Sequence, residues 1–215
     1  GFTEETIAAN GYKSVPVREF PWEICSRLKE KGLHLTGVPG FYKAANGRGG
    51  EYWTFSKKPG YFIPVRDARG RIQALQRRMD DPDEGKYLLF SSSNGTSGTP
   101  AHVARPKELR SKKIWLTEGP LKADILAMHG VTAIAAIGAT CWKPVLPALR
   151  EMDAGEVVLA FDRDQDTNRE VKEAVFKLKN SLIEEGYKVY RAFWENGKGI
   201  DDAILNKSKV AIGLA

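Results

Sequence analysis

Between residues 169 and 186 apolar side chains recur at Val171, Val175, Leu178 and Leu182, the spacing of one face of an α-helix. The segments around this stretch keep a different pattern. Residues 156–162 (EVVLAFD) form a short continuous apolar run, as a central strand covered on both faces requires. Residues 112–119 (KKIWLTEG), 132–138 (TAIAAIG) and 187–194 (YKVYRAFW) read as three more strands. A helix is expected between the first two, with Pro120 suited to its first turn and Gly130 to its end. WKPVLPALREM, between the second and third, reads as an interrupted helix. The order β-α-β-α-β-α-β predicts a doubly wound parallel sheet with right-handed crossovers.

The first half is patterned differently. Helical segments at 4–10 and 22–31 precede β-like runs at 51–56, 61–66, 71–79 and 86–90, and Asp67-Ala68-Arg69-Gly70 is a hairpin turn between the middle pair. Residues 91–101 (SSSNGTSGTPA) are a Gly/Ser-rich loop, as consistent with a plain linker as with a functional loop. The chain is therefore read as α/β, with a smaller α+β subdomain over residues 1–110 and the doubly wound unit over residues 111–215.

Charge sharpens this division. Residues 1–110 hold 18 Lys and Arg against 12 Asp and Glu, whereas residues 111–215 hold 15 of each, so the whole net charge of +6 sits in the first half. A basic surface attracts polyanions by releasing their counterions, which makes nucleic acid a reasonable partner, although on charge alone a generally soluble basic surface is the better reading. Cys25 and Cys141 lie far apart without metal-ligand spacing, and encode neither a disulfide framework nor a zinc module. No apolar run spans a bilayer and no signal peptide is present, so a cytoplasmic protein without membrane association is expected. Gly1 in place of an initiating Met reads as an excised fragment or a processed terminus.

In an open parallel sheet, ligands bind beyond the carboxyl ends of the strands. Two of those ends are acidic here: Glu118 in LTEG, and Asp162 in LAFDRDQD, followed by Asp164 and Asp166. Gly119 is expected to let the backbone turn tightly into the following helix. Asp162 and Asp164 can point the same way, within reach of one hard cation such as Mg²⁺, which takes oxygen ligands and keeps several waters. Each feature alone has an ordinary explanation, a solvated acidic turn or a carboxylate near a helix start. Their joint appearance at the ends of the first and third strands is much less often accidental.

Glu118-Gly119 after a first strand and Asp162-Arg163-Asp164 after a third resemble the Toprim fold, shared by bacterial primases, topoisomerases and certain nucleases. The likeness to primase extends further. Residues 61–79 (YFIPVRDARGRIQALQRRM) and 85–92 (GKYLLFSS) resemble the primase segment in which a Phe-Pro-Ile hairpin leads to an Arg and then to Lys-Tyr-Leu-Asn-Ser. KGIDDAI at 198–204 resembles the Lys-Asp-Pro-Asp-Glu segment, with Asp201 on its second Asp. The similarity covers residues 1–207 and is closest to primase-like Toprim proteins of phages and mobile elements.

The resemblance implies a DNA primase catalytic core that joins nucleoside triphosphates on a single-stranded DNA template with Mg²⁺ or Mn²⁺. Asp162, Asp164, Glu118 and Asp201 would hold metal, with Glu118 as a further ligand or a general base, and Asp166 a further candidate ligand. Arg78, Lys86 and the neighbouring Arg77 would meet nucleotide phosphates or template. A replicative helicase, fused or separate, is a further implied partner. Two departures stand out: Lys122 and Gly199 occupy positions where the primase pattern has Asp. Lys122 is expected either to take a lost metal's place or to pair with Glu118 or Asp162, leaving one tightly bound ion. A Toprim nuclease, and a degenerate core that binds single-stranded DNA beside a helicase, are the rival readings. Trp53 beside Tyr52 and Phe55 is the best base-stacking candidate, with core packing the commoner role. His34, His102 and His129 are assigned nothing.

Overall fold

The computed structural model describes residues 2–81, 83, 85–106, 111–163 and 168–215. The chain runs α1 (Glu4–Asn10), β1 (Lys13–Ser14), α2 (Pro21–Glu30), β2 (Phe41–Ala45), β3 (Glu51–Phe55), β4 (Gly60–Arg66), β5 (Ile72–Met79), β6 (Tyr87–Leu89), β7 (His102–Ala104), β8 (Lys113–Thr117) and α3 (Pro120–Met128). It continues through β9 (Ala133–Ala135), α4 (Val145–Glu151), β10 (Glu156–Leu159), α5 (Arg169–Glu184), β11 (Lys188–Trp194), α6 (Ile200–Leu205) and β12 (Val210–Leu214). Two compact units result, one from the described residues of 1–4, 65–72 and 99–215, the other from 5–64 and 73–98.

The larger unit is built on a six-stranded sheet in the order β12-β11-β10-β8-β9-β7. Its four central strands are parallel, with Val157 of β10 in register with Ile114 on one side and Val189 on the other. Successive strand residues feed opposite faces. Ile114, Leu116, Val157 and Leu159 meet Val145 and Leu149 of α4 and Leu178 and Leu182 of α5. Val158, Ala160, Ala133 and Ala135 meet Ala123 and Leu126 of α3 and Ile200 and Ala203 of α6. Each fully buried Leu or Val in these layers contributes about 1.5–3 kcal/mol. The sheet is thus doubly wound, as the apolar runs require.

Its two edges depart from the parallel expectation, since β7 and β12 pair antiparallel with β9 and β11. β7 has three residues, and β12 carries Gly213 with Leu214 exposed, so neither shows a readable period. β7 joins this sheet upstream of the 110/111 boundary read from the sequence. At the start of α5 the Asn168 carboxamide accepts the backbone N–H groups of Glu170 and Val171 at 3.0 and 3.3 Å, which caps the helix.

His102 of β7 is 2% exposed. Its Nδ1 accepts the Arg66 backbone N–H at 3.0 Å, and its Nε2 lies 3.1 Å from Asp124 Oδ1 on α3. One imidazole accepting at Nδ1 and donating at Nε2 therefore ties the edge strand to the helix that follows Glu118. His102→Leu is expected to cost on the order of 2–4 kcal/mol, because it removes a donor from a buried carboxylate. Urea unfolding of the two proteins checks this.

In the smaller unit the sheet order is β1-β4-β5-β6, beside a β2–β3 hairpin. Its core gathers Cys25 and Leu35 with Phe55 and Phe90, and Phe90 meets Phe41, Phe55 and Phe62 edge-on at 5.7, 6.0 and 5.0 Å. Cys25 is buried there, and Cys141 of the larger unit is half-buried. Gly60, at φ +147°, has no room for a Cβ, which would overlap the Arg78 carbonyl oxygen of the adjacent strand. No helix among the described residues is long and apolar enough to cross a membrane.

Candidate active site

β8 and β10 are neighbours and parallel, so their carboxyl ends lie at the same edge of the sheet. Glu118 directly follows β8 and Asp162 follows β10. Lys122 stands four residues after Glu118, on the first turn of α3, which places its side chain over Glu118. Its ammonium donates to both Glu118 Oε1 and Asp162 Oδ1. Asp201, on α6 beyond the end of β11, brings Oδ1 to 3.8 Å from the same nitrogen. Lys198 Nζ stands 3.8 Å from the other oxygen, Oδ2, of Asp162. Three carboxylates from three different elements therefore converge on one ammonium. Asp162 does not face solvent as a strand-end residue would be expected to; its side chain is 17% exposed.

Burial pushes the Glu118 carboxyl up to about 7, helped by the Asp162 carboxylate beside it and opposed by Lys122. Burial acts against charge on Asp162 as well, but hydrogen bonding from Glu118 and Lys122 outweighs it and holds Asp162 below the usual carboxylate range. Lys122, also disfavoured by burial, is held above its ordinary value by Glu118 and Asp162. The cluster thus keeps an ionised Asp162, a charged Lys122 and a Glu118 that exchanges its proton near neutrality. A proton bound on folding stabilises the native state below the unfolded value of 4.5, and that contribution is lost as pH rises to about 7. With a chelator present, thermal stability is expected to fall across this window and Glu118→Gln to flatten the fall. A wild-type profile that rises there would contradict the assignment.

Carboxylate oxygens suit a hard cation such as Mg²⁺ or Mn²⁺. Glu118 Oε2 and Asp201 Oδ1 are buried, and no N–H or O–H group among the described residues donates to either. Two such acceptors among ionisable groups fit a cation. Among the described residues, however, no three acidic, His or Cys side chains stand together as a metal-ligand set, and the Lys122 ammonium pairs with two of the carboxylates. Asp164 and Asp166 lie outside the described residues. Asp202, next to Asp201, is spent on structure: its Oδ2 accepts the backbone N–H groups of Lys198 and Gly199 at 3.1 Å each, which caps α6.

The basic residues of the smaller unit divide by strand alternation. Arg78 of β5 is part-exposed; it donates to the Tyr87 hydroxyl at 2.9 Å and lies 5.4 Å from that ring's centroid. Lys86 Nζ lies 5.7 Å from the same ring, and Tyr87 itself is 36% exposed. Arg77 was expected beside them as a phosphate contact, and the structure corrects this. It is 6% exposed and donates to the Ser56 and Lys58 carbonyls at 2.9 and 3.4 Å, pinning the connection between β3 and β4. Trp53 packs against the smaller unit's aromatic core.

Two further features escaped sequence reasoning. Lys198 as a partner of Asp162 carries no sequence signal beyond its place ahead of Asp201. Gly119 has an ordinary extended backbone, φ −150° and ψ 140°, with nothing near the site of a Cβ, so its conformational freedom is not what the turn into α3 uses.

Comparison with known proteins bears on this arrangement. Residues 107–211 match the profile of a domain of unknown function, DUF3854. No curated protein matches the sequence. Among solved structures, a DNA primase domain from Pseudomonas aeruginosa is similar at TM-score 0.68 and 21% identity, over 97% of this chain and 65% of that one. The zinc-binding and RNA polymerase domains of the Aquifex aeolicus primase are similar at TM-score 0.72 and 18% identity, over 98% of this chain and 54% of theirs. The fold is that of a DNA primase catalytic core. A DnaG primase catalytic domain bound to single-stranded DNA shows the same fold at TM-score 0.60 and 19% identity, over 96% of this chain and 67% of that one. The chain thus spans about half to two thirds of the length of these primase structures.

Proposed function

We propose that this chain is a primase core, which joins nucleoside triphosphates on a single-stranded DNA template with Mg²⁺ or Mn²⁺. The observation that carries the reading is the convergence of Glu118, Asp162 and Asp201 at the carboxyl edge of a primase-type sheet. Asp162, Asp164, Glu118 and Asp201 would hold the metal, which when bound supplies charge neutralisation on phosphoryl oxygens. Residues 111–215 provide this acidic site, and residues 1–110 the basic surface for the template. Lys122 holds Glu118 and Asp162 against each other, so the carboxylates are positioned before substrate arrives. Glu118 serves either as a further ligand or, titrating near neutrality, as the general base that accepts the proton of the attacking 3′ hydroxyl. Arg78 and Lys86 meet template or triphosphate phosphates, with the exposed Tyr87 face between them.

The Lys122 ammonium favours a second reading, a core that binds single-stranded DNA beside a helicase without polymerising. Cleavage by a Toprim nuclease is the other rival, and one experiment separates it. Circular single-stranded DNA incubated with the protein and Mn²⁺, without nucleotides, is expected to stay circular; linearisation would overturn the primase reading in favour of a nuclease.

A further inference from the structure

We infer that Lys122 and Gly199 form a single device, in which the ammonium is a resident cation of the carboxylate cluster and the missing side chain at 199 is what leaves it room. This deepens the proposed metal site and rests on that reading only for its consequence for metal binding. The ammonium donates to carboxylates from the ends of β8 and β10 and faces a third from α6, with a side chain 17% exposed. A Cβ at Gly199 would stand 2.8 Å from Lys122 Nζ and 2.7 Å from Asp162 Oδ1, and would overlap Asp201 Oδ1. Real Cβ atoms do not approach so closely, so a side chain at 199 must shift the end of Asp201 first, and with it Asp162 or the ammonium.

Backbone conformation does not explain the glycine. Gly199 has φ −105° and ψ 169°, a region open to every L-residue. What distinguishes the position is space, and the ammonium uses that space.

The consequence concerns the number and strength of metal sites. Lys122 occupies Glu118 Oε1 and Asp162 Oδ1, so a divalent ion is left the remaining oxygens, the buried Glu118 Oε2 and Asp201 Oδ1 among them. It also meets a like charge close by, which weakens its binding. The chain accordingly binds at most one Mn²⁺ tightly without nucleotide, and loss of the ammonium strengthens binding or adds a site.

The test is a double-variant cycle on the purified chain, read by thermal unfolding with a chelator and by calorimetric titration with Mn²⁺. Gly199→Ala is expected to lower the melting temperature in the wild type and to lower it less beside Lys122→Ala, because the ammonium is then gone and Asp201 and Asp162 have room to give way. Lys122→Ala is expected to bind Mn²⁺ roughly tenfold more tightly than the wild type, or at a second site. Lys122→Met, which keeps an apolar stem, replaces Lys122→Ala should that variant fail to fold. Additive losses from the two substitutions overturn the proposal, as does wild-type Mn²⁺ binding that removal of the ammonium leaves unchanged. Coupled losses with no Mn²⁺ bound by any variant would support the resident cation while defeating the metal-dependent function, so the two failures are distinguishable.

Discussion

Replacing Asp162 and Asp164 together by Asn is expected to abolish nucleotide incorporation while the protein stays folded. Asp162 is held ionised beside Lys122 and stands at the end of a strand whose own residues, Val157, Val158 and Leu159, are buried in apolar layers. The amide keeps the carboxylate's shape and leaves those layers untouched, but withdraws the negative charge a hard cation requires. Lys122 keeps Glu118 and Asp201 as partners, so the cost in stability is expected to be about 1–3 kcal/mol. Loss of activity on the order of 10³-fold or more is expected when charge stabilisation of a phosphoryl transfer is removed. Primer-free synthesis by the double variant, beside its thermal unfolding curve, measures both; near-wild-type synthesis would remove the catalytic assignment.

The second large effect is that of salt on DNA binding. All of the net charge of +6 lies in residues 1–110, and Arg78 and Lys86 flank an exposed aromatic face there. A surface that neutralises about five phosphates of a single strand loses roughly 10²-fold in affinity between about 50 and 200 mM salt, through counterion release. Arg78→Ala and Lys86→Ala are each expected to weaken binding and to make the salt slope shallower by about one phosphate's share. Arg77→Ala is expected to act through stability instead, since its guanidinium holds backbone carbonyls inside the smaller unit. Fluorescence anisotropy with labelled oligonucleotides across this salt range gives the slopes; affinity flat with salt would refute the basic-surface argument.

The doubly wound sheet was legible because its central strands are buried on both faces and its long helix on one. A strand such as EVVL must then be apolar throughout, and α5 must repeat Val171, Val175, Leu178 and Leu182. The ends of those runs also disclosed where Glu118 and Asp162 stand. Short edge strands left no such trace, for three residues of β7 contain no period, and β12 mixes exposed apolar residues with a glycine. Side-chain fate within a strand was equally hidden. Arg77 and Arg78 are the same residue type in adjacent positions, and only the sheet's alternation sends one inward to carbonyl oxygens and the other outward to Tyr87.

At the candidate site the limit was spatial. Spacing placed Lys122 one helical turn from Glu118, so a pair between them was a local inference. That the same ammonium also reaches Asp162, forty positions on, depends on β8 and β10 being neighbours. Gly199 reads as a lost ligand, and only the fold reveals that a Cβ there would stand 2.8 Å from Lys122 Nζ.

Whether the chain polymerises is decided by primer-free synthesis by the unaltered chain on circular single-stranded DNA, with labelled nucleotides, in Mg²⁺ and in Mn²⁺. Labelled product that requires both template and metal is the expected result. Retention of DNA without product in either metal would contradict it, and would leave a core that binds single strands and polymerises nothing.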